Sequence, residues 1–205
     1  MECFSYIITR DHGFAPNPFH GYCTLATCKP MIREKAKIGD WIVGFASRSF
    51  EERKIIYIMN VSEKINFEDY WHDIRFQIKK PNMKASVVKA YGDNIYYKDL
   101  EINKWIQVDS HHSYDEGIVN PINYENDTKS EFVLISDNFY YFGKKPIIVP
   151  PEINIEKLII KRGNTRVKDE MQFMPLIEWI RSRWRQNYIY NDPAKFDKVV
   201  RYSGK

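Results

Sequence analysis

"WIVGFA", Trp41 to Ala46, is the stretch on which the fold turns. Successive side chains of a strand point to opposite faces, so Trp41, Val43 and Phe45 share one face and Ile42, Gly44 and Ala46 the other. The Gly39–Asp40 turn signal precedes this strand, and the polar turn "RSFEER" leads to a second run, "KIIYIMNVS", so the two predict a hairpin or meander. The small residues Gly44 and Ala46 let a ligand or another backbone come close on their face.

Working towards the N-terminus, "CFSYIIT" (Cys3–Thr9) is rich in aromatic and β-branched residues and reads as a further strand. Between the two lies "RDHGFAPNPFHGYCTLATCKP", Arg10 to Pro30, too polar for a core helix and too irregular for a strand. Pro16 and Pro18 bias the residues before them away from helix and give the segment a stiff, extended path. A shaped loop of this length is more often a binding or reacting element than a connector. Pro30 then opens a short helix, "PMIREKA", at a position where a missing N–H costs nothing.

Towards the C-terminus, "FEDYWHDIRF" (Phe67–Phe76) has apolar residues at helical spacing, and "NIYYKDL" and "KWIQV" are short strand candidates. Ser110 to Glu131 is polar throughout and reads as a second surface loop, followed by a strand pair or bent strand in "FVLISDNFYYFG". Pro175 opens a final amphipathic helix with Phe173, Leu176, Ile177, Ile180 and Trp184 on one face and Arg181 and Arg185 together on another. Strands, short helices and one late helix predict an α+β fold with a mostly antiparallel, partly barrel-like sheet, in one domain spanning residues 1–205 with a basic helical region from about 161 onward.

Composition narrows the function classes. Of the 205 residues, 43% are hydrophobic and 28% charged, as in a globular domain, and no apolar run approaches the roughly 20 residues needed to cross a bilayer. With no basic leader and only three cysteines, no disulfide framework is expected and the reading is cytoplasmic, with no membrane partner. The net charge of +4 is uneven: Lys161 to Lys205 holds eleven Lys or Arg against five Asp or Glu. Such a basic end favours phosphate-bearing partners.

The first loop supplies the candidate chemistry. Phe14, Phe19, Tyr22 and the neighbouring Trp41 offer flat surfaces for stacking a heterocyclic base, with Asp11, Asn17 and Thr24 as edge readers. Arg10, Lys29 and Arg33 nearby, and Arg181 and Arg185 on the late helix, are candidate phosphate contacts. His12, His20, Cys23 and Cys28 lack the spacing of zinc-binding pairs, so no metal or other cofactor is expected. A nucleophilic role for Cys23 or Cys28 requires a base beside it; if the chain is an enzyme, Asp11 is the first candidate acid or base and Cys23 the first candidate nucleophile. In the second loop, His111 and His112 lie with Asp115 and Asp127, and adjacent histidines on a strand would not both face one site.

These residues also carry a resemblance. "RDHGFAPNPFHGYCTLATCKPMIR" with "IGDWIVG", then "VLISDNFYYFG" and "IIVP", resemble the second of the nucleotide-modification-associated domain families over most of the chain. The resemblance implies a setting among systems that modify nucleic-acid bases and marks Arg10, Asp11, Asn17, Cys23, Thr24, Cys28, Lys29 and Arg33, without implying a reaction. His12 stands where the family suggests an aromatic residue. The order of elements is also similar to that of PUA-like modified-base-binding domains. The leading expectation is therefore a module that binds a nucleic-acid base or nucleotide, in the first place a modified one. The alternatives are an enzyme acting on a base or nucleotide, and a structural subunit that partners other proteins of a modification or defence assembly.

Overall fold

A computed structural model describes residues 1–47, 53–159 and 163–204. The turn expected at 48–53 lies almost wholly outside them. In chain order, the first half forms β1 (Cys3–Ile8), β2 (Cys23–Leu25), α1 (Pro30–Lys35), β3 (Trp41–Ala46), β4 (Lys54–Asn60), β5 (Glu63–Asn66), α2 (Phe67–His72), α3 (Val87–Ala90), β6 (Tyr96–Asp99) and β7 (Lys104–Gln107). The second half adds α4 (Pro121–Asp127), β8 (Phe132–Ser136), β9 (Asn138–Tyr141), β10 (Ile147–Ile148), β11 (Asn164–Val167), α5 (Met174–Arg183) and β12 (Tyr188–Ile189).

The fold class is α+β. The main sheet runs β11-β1-β3-β4-β9-β12, with β10 also on β4. Most pairs are antiparallel, but β1 lies parallel to β3 and β12 to β9. A second sheet runs β2-β8-β5, and β6 and β7 form a separate hairpin. Among the described residues none of these sheets closes on itself, which corrects the barrel-like expectation. The break has a local cause: β8 and β9 are separated only by Asp137 yet belong to different sheets, so the chain turns a corner there instead of continuing a single wall.

The two faces of β3 divide as strand alternation predicts. Trp41, Val43 and Phe45 face one core with Leu176, Ile177 and Ile180 of α5, while Ile42 faces another with Tyr6, Tyr57 and Ile32 of α1. The small face at Gly44 is occupied by neighbouring side chains and not by a ligand or backbone: a Cβ there would lie 2.4 Å from the Tyr57 ring and 2.5 Å from the Ile8 side chain. Gly44→Ala should therefore overpack the core and cost about 1–3 kcal/mol, read as a lower urea midpoint. An unchanged midpoint would show that Tyr57 can yield.

Three further expectations change. Phe67–Phe76 is not one helix: α2 stops at His72, Asp73 caps a 3-10 turn over Ile74–Lys79, and the path bends there. Ser110–Glu131 is not a surface loop. It contains α4, and Ser110 to Ser113, Asn120, Asn123, Asp127 and Ser130 are buried. The basic end is mostly not helical, because α5 ends at Arg183 and leaves Arg185 beyond it, with its N–H on the Tyr190 hydroxyl. Beyond β12 the chain crosses back over the first loop, where the backbone N–H groups of Ala194 and Lys195 bind Asp11.

Candidate active site

Two turns and a helix end bring the site together. Cys28 sits between β2 and α1, and both Cys28 and Lys29 have left-handed backbone, with φ of 56° and 38°. Neither is glycine, so each conformation costs on the order of 1–3 kcal/mol that the surroundings must offset. The offset is visible in Arg33, one turn into α1. Its side chain is fully buried, and its guanidinium donates to the carbonyls of Cys28, Asp127, Ser130 and Phe132. This cation therefore clamps the strained turn to the end of α4 and the start of β8.

Asp127, the last residue of α4, receives three donors: the Cys28 backbone N–H at 2.7 Å, the Tyr96 hydroxyl at 3.0 Å and His112 Nδ1 at 2.6 Å. The other ring nitrogen of His112, Nε2, lies 3.8 Å from Cys28 Sγ. The sequence thus folds into a thiol, an imidazole and a carboxylate in a row, the arrangement of nucleophile, base and orienting group. The adjacent His111 also lines the cavity beside Cys28, because both histidines lie in a turn where strand alternation does not apply.

Electrostatics agree with the geometry. Burial opposes charge on His112, but the Asp127 carboxylate and the Cys28 sulfur outweigh it and raise the imidazole to about 10. Burial likewise disfavours charge on Asp127, yet His112 and Arg33 hold it below the ordinary carboxylate value. The two shifts act on stability in opposite directions. The raised histidine contributes fully below its ordinary value of about 6.5 and loses its contribution as pH rises towards 10; the lowered aspartate contributes above its ordinary value near 4 and loses it in acid. The urea midpoint should fall between pH 7 and 10, with a shallower fall in His112→Asn. Equal slopes in the two proteins would contradict a charged His112.

Cys28 is partly exposed and opens into a cavity of about 890 Å³. Its lining includes Tyr6, Phe14, Lys29, Arg10 and Lys129 and, among the described residues, no carboxylate. The Lys29 ammonium stands 4.7 Å from the centre of the Tyr6 ring, and burial lowers its pKa. The same three triad side chains have donor atoms within 4.8 Å of one another and could be read as metal ligands. The carboxylate, however, is already engaged by three donors, and one of them is the imidazole itself. That pattern suits an orienting group better than a metal ligand.

The expected site residues scatter around this centre. Phe14, Arg10 and Lys29 line the cavity. Cys23 does not: it is 0% exposed inside the core, where burial pushes its thiol well above the ordinary range, so the first candidate nucleophile is replaced by Cys28. Asp11 is also buried, with its carboxylate on the Tyr141 hydroxyl and the N–H groups of Gly13 and Ala194, which makes it an anchor of the loop. Asn17 and Thr24 receive the buried Lys79 ammonium, and Thr24 also donates to Asp93. Phe19 stacks on Phe196, Tyr22 packs on Phe76, and Trp41 lies in the core with the Arg181 guanidinium 5.2 Å from its ring centre. Arg33 is the clamp described above, and Arg185 lies 5.8 Å from the Tyr188 ring, lining neither this cavity nor the smaller one beside it.

The loop sequence, the strained Cys28 turn and the β2-β8 pairing all fall within residues 1–200, the span matched by the family model for nucleotide modification associated domain 2. The chain belongs to that family. The match ties the chain to nucleotide modification, and Cys28, His112 and Asp127 all lie inside the matched span. No curated protein and no solved structure matches this chain. Among the described residues no helix is long and apolar enough to cross a membrane. The sequence names His112 and Asp127 but reads them as part of a surface loop and not of the site, although a helix signal is present there: Asn120–Pro121 is a helix start, and the Asn120 side chain caps the N–H groups of Ile122 and Asn123.

Proposed function

We propose that this chain is a thiol-dependent enzyme of a nucleotide-modification system, with Cys28 as nucleophile, His112 as proton carrier and Asp127 as its orienting group. The observation that carries this reading is the row Sγ, Nε2, Nδ1, carboxylate, with 3.8 Å and 2.6 Å between successive groups, opening on a cavity of nucleotide dimensions. In the step this arrangement supports, Cys28 sulfur forms a bond to an electrophilic carbon of the substrate while a group on that carbon departs. His112, which holds the proton in place of the sulfur, delivers it to the departing group; water attack assisted by the now neutral His112 then breaks the carbon–sulfur bond, releases the product and returns a proton to His112. Asp127 holds the imidazole in the tautomer this exchange needs.

The cavity also supports the simpler reading of a module that receives a nucleotide without turning it over, since rings and cations surround it with no carboxylate among the described residues. Intact-protein mass spectrometry separates the two. Incubated with a panel of nucleotides carrying acyl, amide or amino substituents, the wild type should gain a covalent mass mapping to Cys28, or consume the compound, and Cys28→Ser should do neither. Turnover by Cys28→Ser at the wild-type rate would remove the enzyme reading, and retained ligand without adduct or product in the wild type would favour the receptor.

A further inference from the structure

A second cavity, of about 370 Å³, adjoins the first, and Arg10, His12, His111 and Tyr202 line both. Its outer wall is the segment after β12, which contributes Lys195, Asp197, Lys198 and Arg201. Arg201 is engaged with Asp109 and Asp115. Lys195 and Lys198 are exposed and form no ion pair among the described residues. Arg10 lies over the Tyr202 ring, its guanidinium 5.0 Å from the ring centre, at the junction of the cavities.

The junction histidines are fixed in one tautomer. His12 Nδ1 lies 2.9 Å from the Lys195 carbonyl, and His111 Nδ1 meets the Val200 carbonyl. A carbonyl only accepts, so both Nδ1 atoms carry the proton and both Nε2 atoms present a lone pair. Burial, together with Arg10 and the neighbouring cations, holds both rings below the ordinary histidine value, so neither adds charge at neutral pH. Two acceptors thus stand between a cationic vestibule and the chamber at Cys28.

We propose that the two cavities form one bipartite site for a phosphorylated nucleotide: Lys195, Lys198 and Arg10 hold the phosphate, and the group to be modified reaches Cys28. This inference rests on the thiol-dependent reading and names its substrate class. His12 and His111 accept hydrogen bonds from the sugar hydroxyls or the exocyclic amino groups that pass between the cavities. Among the described residues the chamber has no carboxylate in its lining and the vestibule is predominantly cationic, which favours an anion, and the shared lining favours a ligand that spans both.

Binding by titration calorimetry tests the site, because the side chains of Lys195 and Lys198 can be replaced without touching the backbone bonds of their segment. The probes are four nucleosides, their 5′-monophosphates and the matching dinucleoside monophosphates. At least one phosphorylated probe should bind roughly tenfold or more tightly than its nucleoside, as charge-assisted hydrogen bonds to phosphate would give. Lys195→Gln/Lys198→Gln should erase that gain. A gain confined to 5′-monophosphates marks free nucleotides as the source of the phosphate, and one confined to dinucleoside monophosphates marks a nucleic-acid strand. No binding of any phosphorylated probe, or a gain that survives the double substitution, overturns the proposal. Alkylation of Cys28 in the same preparations keeps the two readings apart, since it should remain dependent on His112 in the double variant whatever the calorimetry shows.

Discussion

Replacing His112 with alanine slows alkylation of Cys28 by iodoacetamide at pH 7 by roughly ten- to a hundredfold, the range over which a neighbouring imidazolium activates a thiol. The measurement is clean in the native protein because Cys3 and Cys23 are both 0% exposed, so labelling reports Cys28. Asp127→Asn should slow it less, since the imidazole remains but loses the carboxylate that charges and orients it. Circular dichroism of each variant keeps loss of fold apart from loss of activation, and His112→Asn offers a smaller polar replacement if alanine unfolds the chain. An alkylation rate that ignores His112 in a folded variant would leave Cys28 an ordinary half-buried thiol.

Arg33→Met removes about 3–5 kcal/mol of stability, the cost of deleting one partner from a buried charged cluster. Four carbonyls lose their donor, and Asp127 loses the second cation that holds it ionised. Each stranded buried acceptor costs on the order of 1–3 kcal/mol where water cannot reach it. Against a typical total of about 5–15 kcal/mol, this can decide whether the chain folds. Arg33→Lys should recover only part, because one ammonium has three donors and lacks the planar fork that reaches four carbonyls. Urea unfolding measures both, and a loss below about 1 kcal/mol for Arg33→Met would show that the carbonyls find other partners.

The same residue shows what the sequence disclosed and what it hid. The strands were legible because alternation is local: the two faces of Trp41–Ala46 pack against different cores as the pattern predicts. The shaped loop was legible as an unusual element, and Phe14, Arg10 and Lys29 do line the cavity. From sequence Arg33 reads as a phosphate contact because an arginine beside a polar loop is normally exposed, and only tertiary closure supplies the four carbonyls that bury it. The stretch from Ser110 to Glu131 reads as surface for the same reason. Its polar residues satisfy one another inside the protein, as His112 and Asp127 do, and as Asn123 does by donating to the His112 carbonyl. The candidate site joins residues 84 and 99 positions apart in sequence, and no local pattern marks such a meeting.

That separation makes Cys28 a clock for folding. The guanidinium of Arg33 and the carboxylate of Asp127 meet the Cys28 turn only after some ninety residues of chain have been brought back upon themselves, and closure of such long loops belongs to the slow part of folding. A chain caught before that step carries a thiol without His112 beside it and should react more slowly with iodoacetamide than its finished form. In refolding from urea, activated alkylation should return with the last kinetic phase and not with the early recovery of secondary structure, and the sulfur's reactivity then dates the moment the native topology closes.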